Sequence, residues 1–204
     1  REKATINICA AQVLLAVMAG MYAVWHGPDG LRRIARRVHA LTCELAARLS
    51  AAGCAVVHTS FFDTLRVRPK GDAAAVLRRA EARGFNLRDF GDGSVGMALD
   101  ECSDDGEIDA LCEVFAGGAA PRAAGGAFGL PAELARTSDF LAHPVFRSYD
   151  TEHELLRYVS RLASRDLSLT TSMIPLGSCT MKLNAAAEML PVSWPEFARL
   201  HPFA

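Results

Sequence analysis

Thirteen consecutive residues, Ser172 to Asn184 (SMIPLGSCTMKLN), hold the densest set of reactive side chains in the sequence. Within them Ser178, Cys179, Thr180, Lys182 and Asn184 follow Pro175 and Gly177. Short hydroxyl, thiol and amide groups beside one ammonium suit a phosphate or a carboxylate. The same composition suits a buried loop whose donors bond to one another, and the residue types alone leave both readings open. Cys179 reads either as a redox-sensitive thiol or as a plain structural one. A reactive thiolate needs electropositive surroundings, and Lys182 is the basic residue near it.

Other chemical patterns fail on their context. Gly91-Asp92-Gly93-Ser94-Val95-Gly96 satisfies GxGxxG in letters. A dinucleotide loop requires a strand before it and a helix opening within it, so that amides converge on phosphate. Here Met97-Ala98-Leu99 continues as a strand, and the Asp-Gly pair between apolar runs predicts a hairpin. Asp89-Phe90-Gly91 resembles a kinase triplet, with no glycine loop or HRD sequence to accompany it. His153-Glu154 begins an HExxH pattern that ends on Arg157, so no second imidazole faces the first. The six histidines are otherwise scattered, and no Ser-x-x-Lys, nucleophile elbow or P-loop is present. The six cysteines form no CxxC pair, which argues against a zinc cluster and for reduced, mostly buried thiols.

Composition bounds the function classes. The chain has 204 residues, enough for one to two domains, with 50% hydrophobic residues and a mean hydropathy of +0.14. That excludes a disordered tail. A net charge of −1 excludes a general nucleic-acid binder. Lysine is scarce: only Lys3, Lys70 and Lys182. The sequence opens on Arg1 and stops at Ala204, which suggests a piece of a longer polypeptide.

The elements that must position the reactive loop follow from periodicity. Residues 8–25 are apolar apart from Gln12 and predict a helix buried on all sides in a large α/β core. A membrane-tethered or signal segment is the alternative, weakened by its content of Ala, Gly and Cys. Gly27-Pro28-Asp29-Gly30 breaks that helix. In the next, Leu31, Ile34, Val38, Leu41, Leu45 and Leu49 form one stripe, closed by Gly53. Arg32, Arg33, Arg36, Arg37 and Arg48 lie mostly off it and read as a solvated face. Strands are expected at 55–58 and 61–67, with Phe62, Leu65 and Val67 as burial candidates. Asp72 is placed to cap a helix over 73–83, and another is expected over 105–115. Nine acids and no base lie between Asp89 and Glu113, and they read as solvated surface. Residues 117–131 have linker composition. Beyond them one helix is expected, near 151–163, and residues 167–204 are loop-like.

Several blocks, read in order, resemble the glycine-cleavage-system P-protein family of pyridoxal-phosphate-dependent glycine decarboxylases. They are REKATINICAAQ from Arg1, FFDTL at 61–65, FNLRDF with ALDE between Phe85 and Glu101, and RTSDFLAHPVF at 136–146. LLRY at 155–158, DLSL at 166–169, the loop 172–184 and the stretch from Trp194 to Phe203 complete them. The resemblance runs nearly end to end. The family usually has Ser and Thr where Ile6 and Ala10 stand, and commonly histidine where Asp150 and Thr171 stand.

The resemblance implies an α/β fold: the small domain of a fold-type I PLP-dependent transferase-like unit, plus the start of a second unit. Residues 1–27 would end the first unit's large domain, and 28–116 would be its small domain. Residues 117–135 would be the linker, and 136–204 the opening of the second, catalytic unit. The implied activity releases carbon dioxide from glycine and passes the aminomethyl group to the lipoyl arm of the partner H-protein. The family's cofactor lysine is flanked by histidine and followed by a glycine-rich loop, and none of this chain's three lysines matches that pattern. No catalytic residue and no metal ligand is therefore assigned to this chain, and the fragment alone is expected to be inactive. Ser178, Cys179, Thr180, Lys182 and Asn184 are the cofactor- or substrate-proximal candidates. The implied partners are H-protein and the remaining parts of P-protein, as homodimer or heterotetramer, with neither nucleic acid nor membrane. The implied compartment is the cytoplasm in a bacterium or the mitochondrial matrix in a eukaryote. The alternative function is a non-catalytic α/β module serving subunit interaction.

Overall fold

The computed structural model describes residues 10–118, 130–165, 186–198 and 200. The chain divides into two compact units, residues 29–139 and residues 1–28 together with 140–204. Each is described by itself.

Helix α1 (Ala10–Ala51) is interrupted at Gly27, whose backbone lies at φ 60°, ψ −178°. That region is open essentially to glycine alone. A Cβ there would also stand 2.7 Å from the Phe146 carbonyl oxygen. Pro28 follows directly, so the interruption falls where the sequence predicts it.

In the unit 29–139 the second half of α1 is amphipathic and finds partners. The remaining elements are β1 (Ala55–Val56), β2 (Thr64–Arg68), α2 (Ala73–Ala82), β3 (Arg88–Asp89), β4 (Val95–Ala98) and α3 (Asp105–Ala116). The strands form one antiparallel sheet in the order β1-β2-β4-β3. Register sets Leu65 opposite Met97 and Val67 opposite Val95. Alternation therefore sends all four to one face, where they meet Leu41, Leu45 and Leu49 of α1, Val76 and Ala80 of α2, and Ile108 and Val114 of α3. The fold class is the expected one, a mixed helix and sheet layer. Asp72 caps α2 through the Ala74 and Ala75 amides, and Asp104 caps α3 through that of Glu107. Residues 91–93 turn a β3–β4 hairpin, as predicted, and no helix opens there.

Three expectations in this unit are corrected. Phe62 is exposed and Phe61 takes the core position, because the chain is still irregular there and β2 begins only at Thr64. Arg48 is buried, only 5% exposed, and is not part of a solvated face. The acids between 89 and 113 are not all solvent-bound: Asp92, Asp109 and Glu113 pair with arginines from other elements.

In the other unit, α4 (Glu152–Ala163) starts on a capping box in which Thr151 and Glu154 exchange backbone hydrogen bonds. Tyr149 stacks on Tyr158 and accepts a hydrogen bond from Arg161 at 2.7 Å. Two single-turn helices, α5 (Ala186–Met189) and α6 (Pro195–Ala198), lie where the sequence reads as loop. The first half of α1 is helical as expected but is not enclosed: Leu14, Leu15, Val17 and Met18 are exposed. No described residue covers that face. Among the described residues no helix is long and apolar enough to cross a membrane.

Candidate functional site

The five residues singled out for chemistry, Ser178, Cys179, Thr180, Lys182 and Asn184, lie outside the described residues, as do Thr171 and most of the linker composition at 117–131. Lys70 is the one lysine within the described residues. It is exposed in the turn between β2 and α2, with its stem against Gly53. No cradle for a phosphate surrounds it, and the described residues do not fit a covalently held pyridoxal phosphate. Among them no group of three or more metal-binding side chains occurs.

Four charged or polar constellations are built by the fold. The first lies on the sheet face opposite the core, where Arg66 and Arg68 both reach the Asp92 Oδ2, at 2.7 and 2.9 Å. Arg68 also donates to the Asp92 carbonyl, and Arg66 Nε donates to the Ser94 hydroxyl. The Ser94 hydroxyl and amide both donate to Asp92 Oδ1. These hydrogen bonds from Ser94, aided by the two guanidinium charges, hold the Asp92 carboxyl down at about 2 although desolvation opposes them. An acid so fully committed is no general base. It fastens the hairpin to β2.

Beside it, Phe90 lies over Gly96, where a Cβ would come within 2.7 Å of the ring. The Arg66 and Arg88 guanidinium groups stand 4.1 and 4.6 Å from the ring centroid. The glycine is what admits the aromatic ring to that sheet surface.

The second constellation is the buried Arg48, which joins α1 to α3 through Asp109 at 2.7 Å and reaches Glu44 at 3.3 Å. Burial works to lower its pKa, but the hydrogen bond to Asp109 and the nearby charges outweigh it, and the guanidinium is held above its ordinary value. Its Nε has no hydrogen-bond partner. Burial also pushes the neighbouring Cys112 thiol up to about 11, so it stays protonated.

The third is a cleft of about 260 Å³ between the ends of α2 and α3, lined by Arg79, Arg83, Glu113 and Gly117 among others. Its cations are already engaged. Arg79 Nε donates to the Val114 carbonyl at the end of α3, and Arg83 pairs with Glu113 at 2.7 Å. Cations there complement the carbonyl end of a helix.

The fourth joins α1 to the loop before β2. His39 stacks flat on Phe62, with ring centroids 5.6 Å apart, and its Nδ1 lies 2.9 Å from the Phe62 carbonyl oxygen. The Cys43 sulfur stands 3.5 Å from its Nε2 and 4.0 Å from its Nδ1, so it lies over the ring rather than in line with either nitrogen. Sequence reading passed over this pair by treating the histidines as scattered. The available signal was the four-residue spacing of His39 and Cys43 on a helix, which puts both on one face.

The family model described as "Glycine cleavage system P-protein" matches residues 1–115. A glycine dehydrogenase (decarboxylating) from Thermosynechococcus vestitus is 60% identical over 205 aligned residues, which take in 100% of this chain and 21% of that protein. The enzyme of the same name from Xanthomonas euvesicatoria is 57% identical, again over the whole of this chain and 21% of its own length. A crystal structure of glycine decarboxylase (P-protein) in inhibitor-bound form aligns with 57% of this chain and 28% of its own, at 29% identity and a TM-score of 0.44. The chain thus spans about a fifth of the length of the curated relatives it matches.

Proposed function

The chain belongs to the glycine cleavage system P-protein family, and from that premise we propose that it serves as a segment of a pyridoxal-phosphate-dependent glycine decarboxylase. The similarity to glycine dehydrogenases along the whole chain, at 60% identity, supports this reading. In the reaction, glycine loses carbon dioxide and its aminomethyl group passes to the lipoyl arm of H-protein. The cofactor, when bound, supplies an electron sink for the pair left behind by the departing carboxylate.

This segment's own contribution is architectural. Residues 1–27 end the large domain of a first, non-catalytic unit, and 28–116 form its small domain. Residues 117–135 link it to a catalytic unit that opens at 136. The arginine clamp on Asp92 and the buried Arg48 pair keep the small domain in one shape. Ser178, Cys179, Thr180, Lys182 and Asn184 stand near cofactor or substrate in the second unit, and the cofactor lysine lies beyond this chain. The working protein is a homodimer or heterotetramer that docks H-protein, in the cytoplasm if the source is bacterial and in the mitochondrial matrix if it is eukaryotic.

The test is the intact mass and visible spectrum of the native polypeptide that carries this sequence. A mass of about 100 kDa is expected, since 21.9 kDa is 21% of it, as befits several domains on one chain. A cofactor absorption band should accompany it, and borohydride reduction should fix the cofactor to a lysine outside these residues. A colourless native protein of 21.9 kDa, or cofactor fixed to Lys182, overturns the proposal.

A further inference from the structure

The break in α1 carries a further inference, which rests on the decarboxylase reading for the roles of the two segments involved. On that reading residues 1–27 end the first unit's large domain and 136–204 open the catalytic unit. Residues 1–28 and 140–204 nevertheless fold into one compact body. Around the break a single stripe of α1 is covered. Val24, Gly27 and Pro28 are buried and Met21 is half-buried, at three- and four-residue spacing, while Tyr22 and Trp25 between them are exposed. Val24 lies outside the core of the unit 29–139.

Phe146 supplies the contact on that stripe. Its carbonyl oxygen lies so close to Gly27 that a Cβ there would stand 2.7 Å from it, well inside van der Waals contact. The segment that brings it is stiff. Leu141 takes the left-handed region at φ 51°, a strained conformation for a bulky side chain that persists only where the surroundings hold it. His143 Nδ1 accepts the Val145 amide, the Phe146 amide donates to the His143 carbonyl, and the Ser148 hydroxyl donates to that of Pro144. Phe140, Leu141, Val145, Phe146 and Tyr149 are half-buried, and the residues between them are exposed. Tyr149 is in turn fastened to α4 by Tyr158 and Arg161.

We propose that residues 140–149 form a strap that docks on the Met21–Val24–Gly27–Pro28 stripe and fixes the opening of the catalytic unit to the end of the first unit's large domain. Gly27 is the residue that admits the strap. It supplies both the backbone turn, at φ 60°, and the bare surface on which the Phe146 carbonyl rests. The linker 117–135 then joins the two units without setting where the second begins. It acts as a tether, which its glycine-rich composition suits.

The test is hydrogen exchange on the intact polypeptide that carries this chain, read by mass spectrometry in peptides covering 140–150. Gly27→Ala should speed exchange there by about tenfold or more, because the new Cβ both strains the turn and displaces the Phe146 carbonyl. Gly84→Ala is the matched control. Gly84 also has a positive φ, 79°, but a Cβ there meets nothing within 4 Å, so exchange at 140–150 should not change. Lengthening the linker within 117–131 by about six glycine and serine residues should leave 140–150 as protected as before. Unchanged exchange in Gly27→Ala overturns the proposal, as does an equal rise in Gly84→Ala or a loss of protection on lengthening the linker. The linker variant decides the matter even where Gly27→Ala does not fold, with retained protection supporting the strap. The decarboxylase reading stands or falls separately, on the native mass and the cofactor band.

Discussion

The two halves of α1 contain similar amounts of apolar side chain and come to opposite ends. Before Gly27, Leu14, Leu15, Val17 and Met18 face outward with no described residue over them. After Pro28, Leu41, Leu45 and Leu49 are buried against the sheet and against α2 and α3. The first half is apolar around its whole circumference, and the second confines its apolar residues to a stripe. A helix with one apolar stripe needs one partner layer, which the elements from β1 to α3 supply. A helix apolar all round needs partners on every side. On the decarboxylase reading, those partners belong to the other four fifths of the polypeptide.

The largest effect that tests this contrast comes from removing one leucine on each side of the break. Leu45→Ala takes a fully buried side chain out of the core and should cost about 2–5 kcal/mol. Leu15→Ala, at a position 66% exposed, should stay within about 0.5 kcal/mol. Urea unfolding of the 204-residue chain, followed by circular dichroism, measures both. In the intact polypeptide the Leu15 substitution should become costly, because there the surface is covered. Equal costs at Leu15 in the two settings would break the comparison.

The same contrast explains what was legible in the sequence. The cap at Asp72 and the hairpin around Gly93 depend on neighbours a few residues away, and both were readable from one short window, as were the helices that Asp104 and Thr151 turn out to cap. Phe61 and Phe62 were exchanged because alternation fixes the faces of a strand only once the strand has begun, at Thr64. Arg48 was misplaced because its partner Asp109 lies on α3, and long-range pairing leaves no periodic trace. The His39–Cys43 spacing was visible, but the carbonyl that orients the imidazole comes from residue 62. The loop 172–184 announced itself by composition and by family resemblance, and its five reactive residues lie outside the described ones.

A second, smaller effect separates charge from packing within the well-packed half. Asp109→Ala leaves the Arg48 guanidinium buried with only the 3.3 Å contact to Glu44. Removing one partner of a buried pair is more harmful than replacing the charge by an apolar chain. Because Asp109 is itself half-exposed, the cost should be about 2–3 kcal/mol, below the figure for a wholly buried pair. Arg48→Met, which removes the charge and keeps most of the volume, should cost less than Asp109→Ala. Chemical unfolding of the two variants side by side gives the order, and the reverse order would show that Arg48 acts through its packed stem rather than its charge.

The smallest effect lies on the open side of the sheet, where stability depends on charge that water can screen. Asp92 titrates at about 2 in the folded chain, against about 3.9 for an unfolded aspartate. A carboxyl with a lowered folded value binds its proton more readily when unfolded. Its contribution is therefore complete above about pH 4 and is lost as pH falls from there towards 2. The urea midpoint of the unsubstituted chain should drop across that window, and that of Asp92→Asn should drop less. High salt should narrow the gap between them, because Arg66 and Arg68 act on Asp92 from an exposed surface. Parallel pH profiles would mean that the clamp persists in the unfolded chain or contributes nothing. The hairpin would then be held by the backbone register of β3 and β4 and by Phe90 over Gly96 alone.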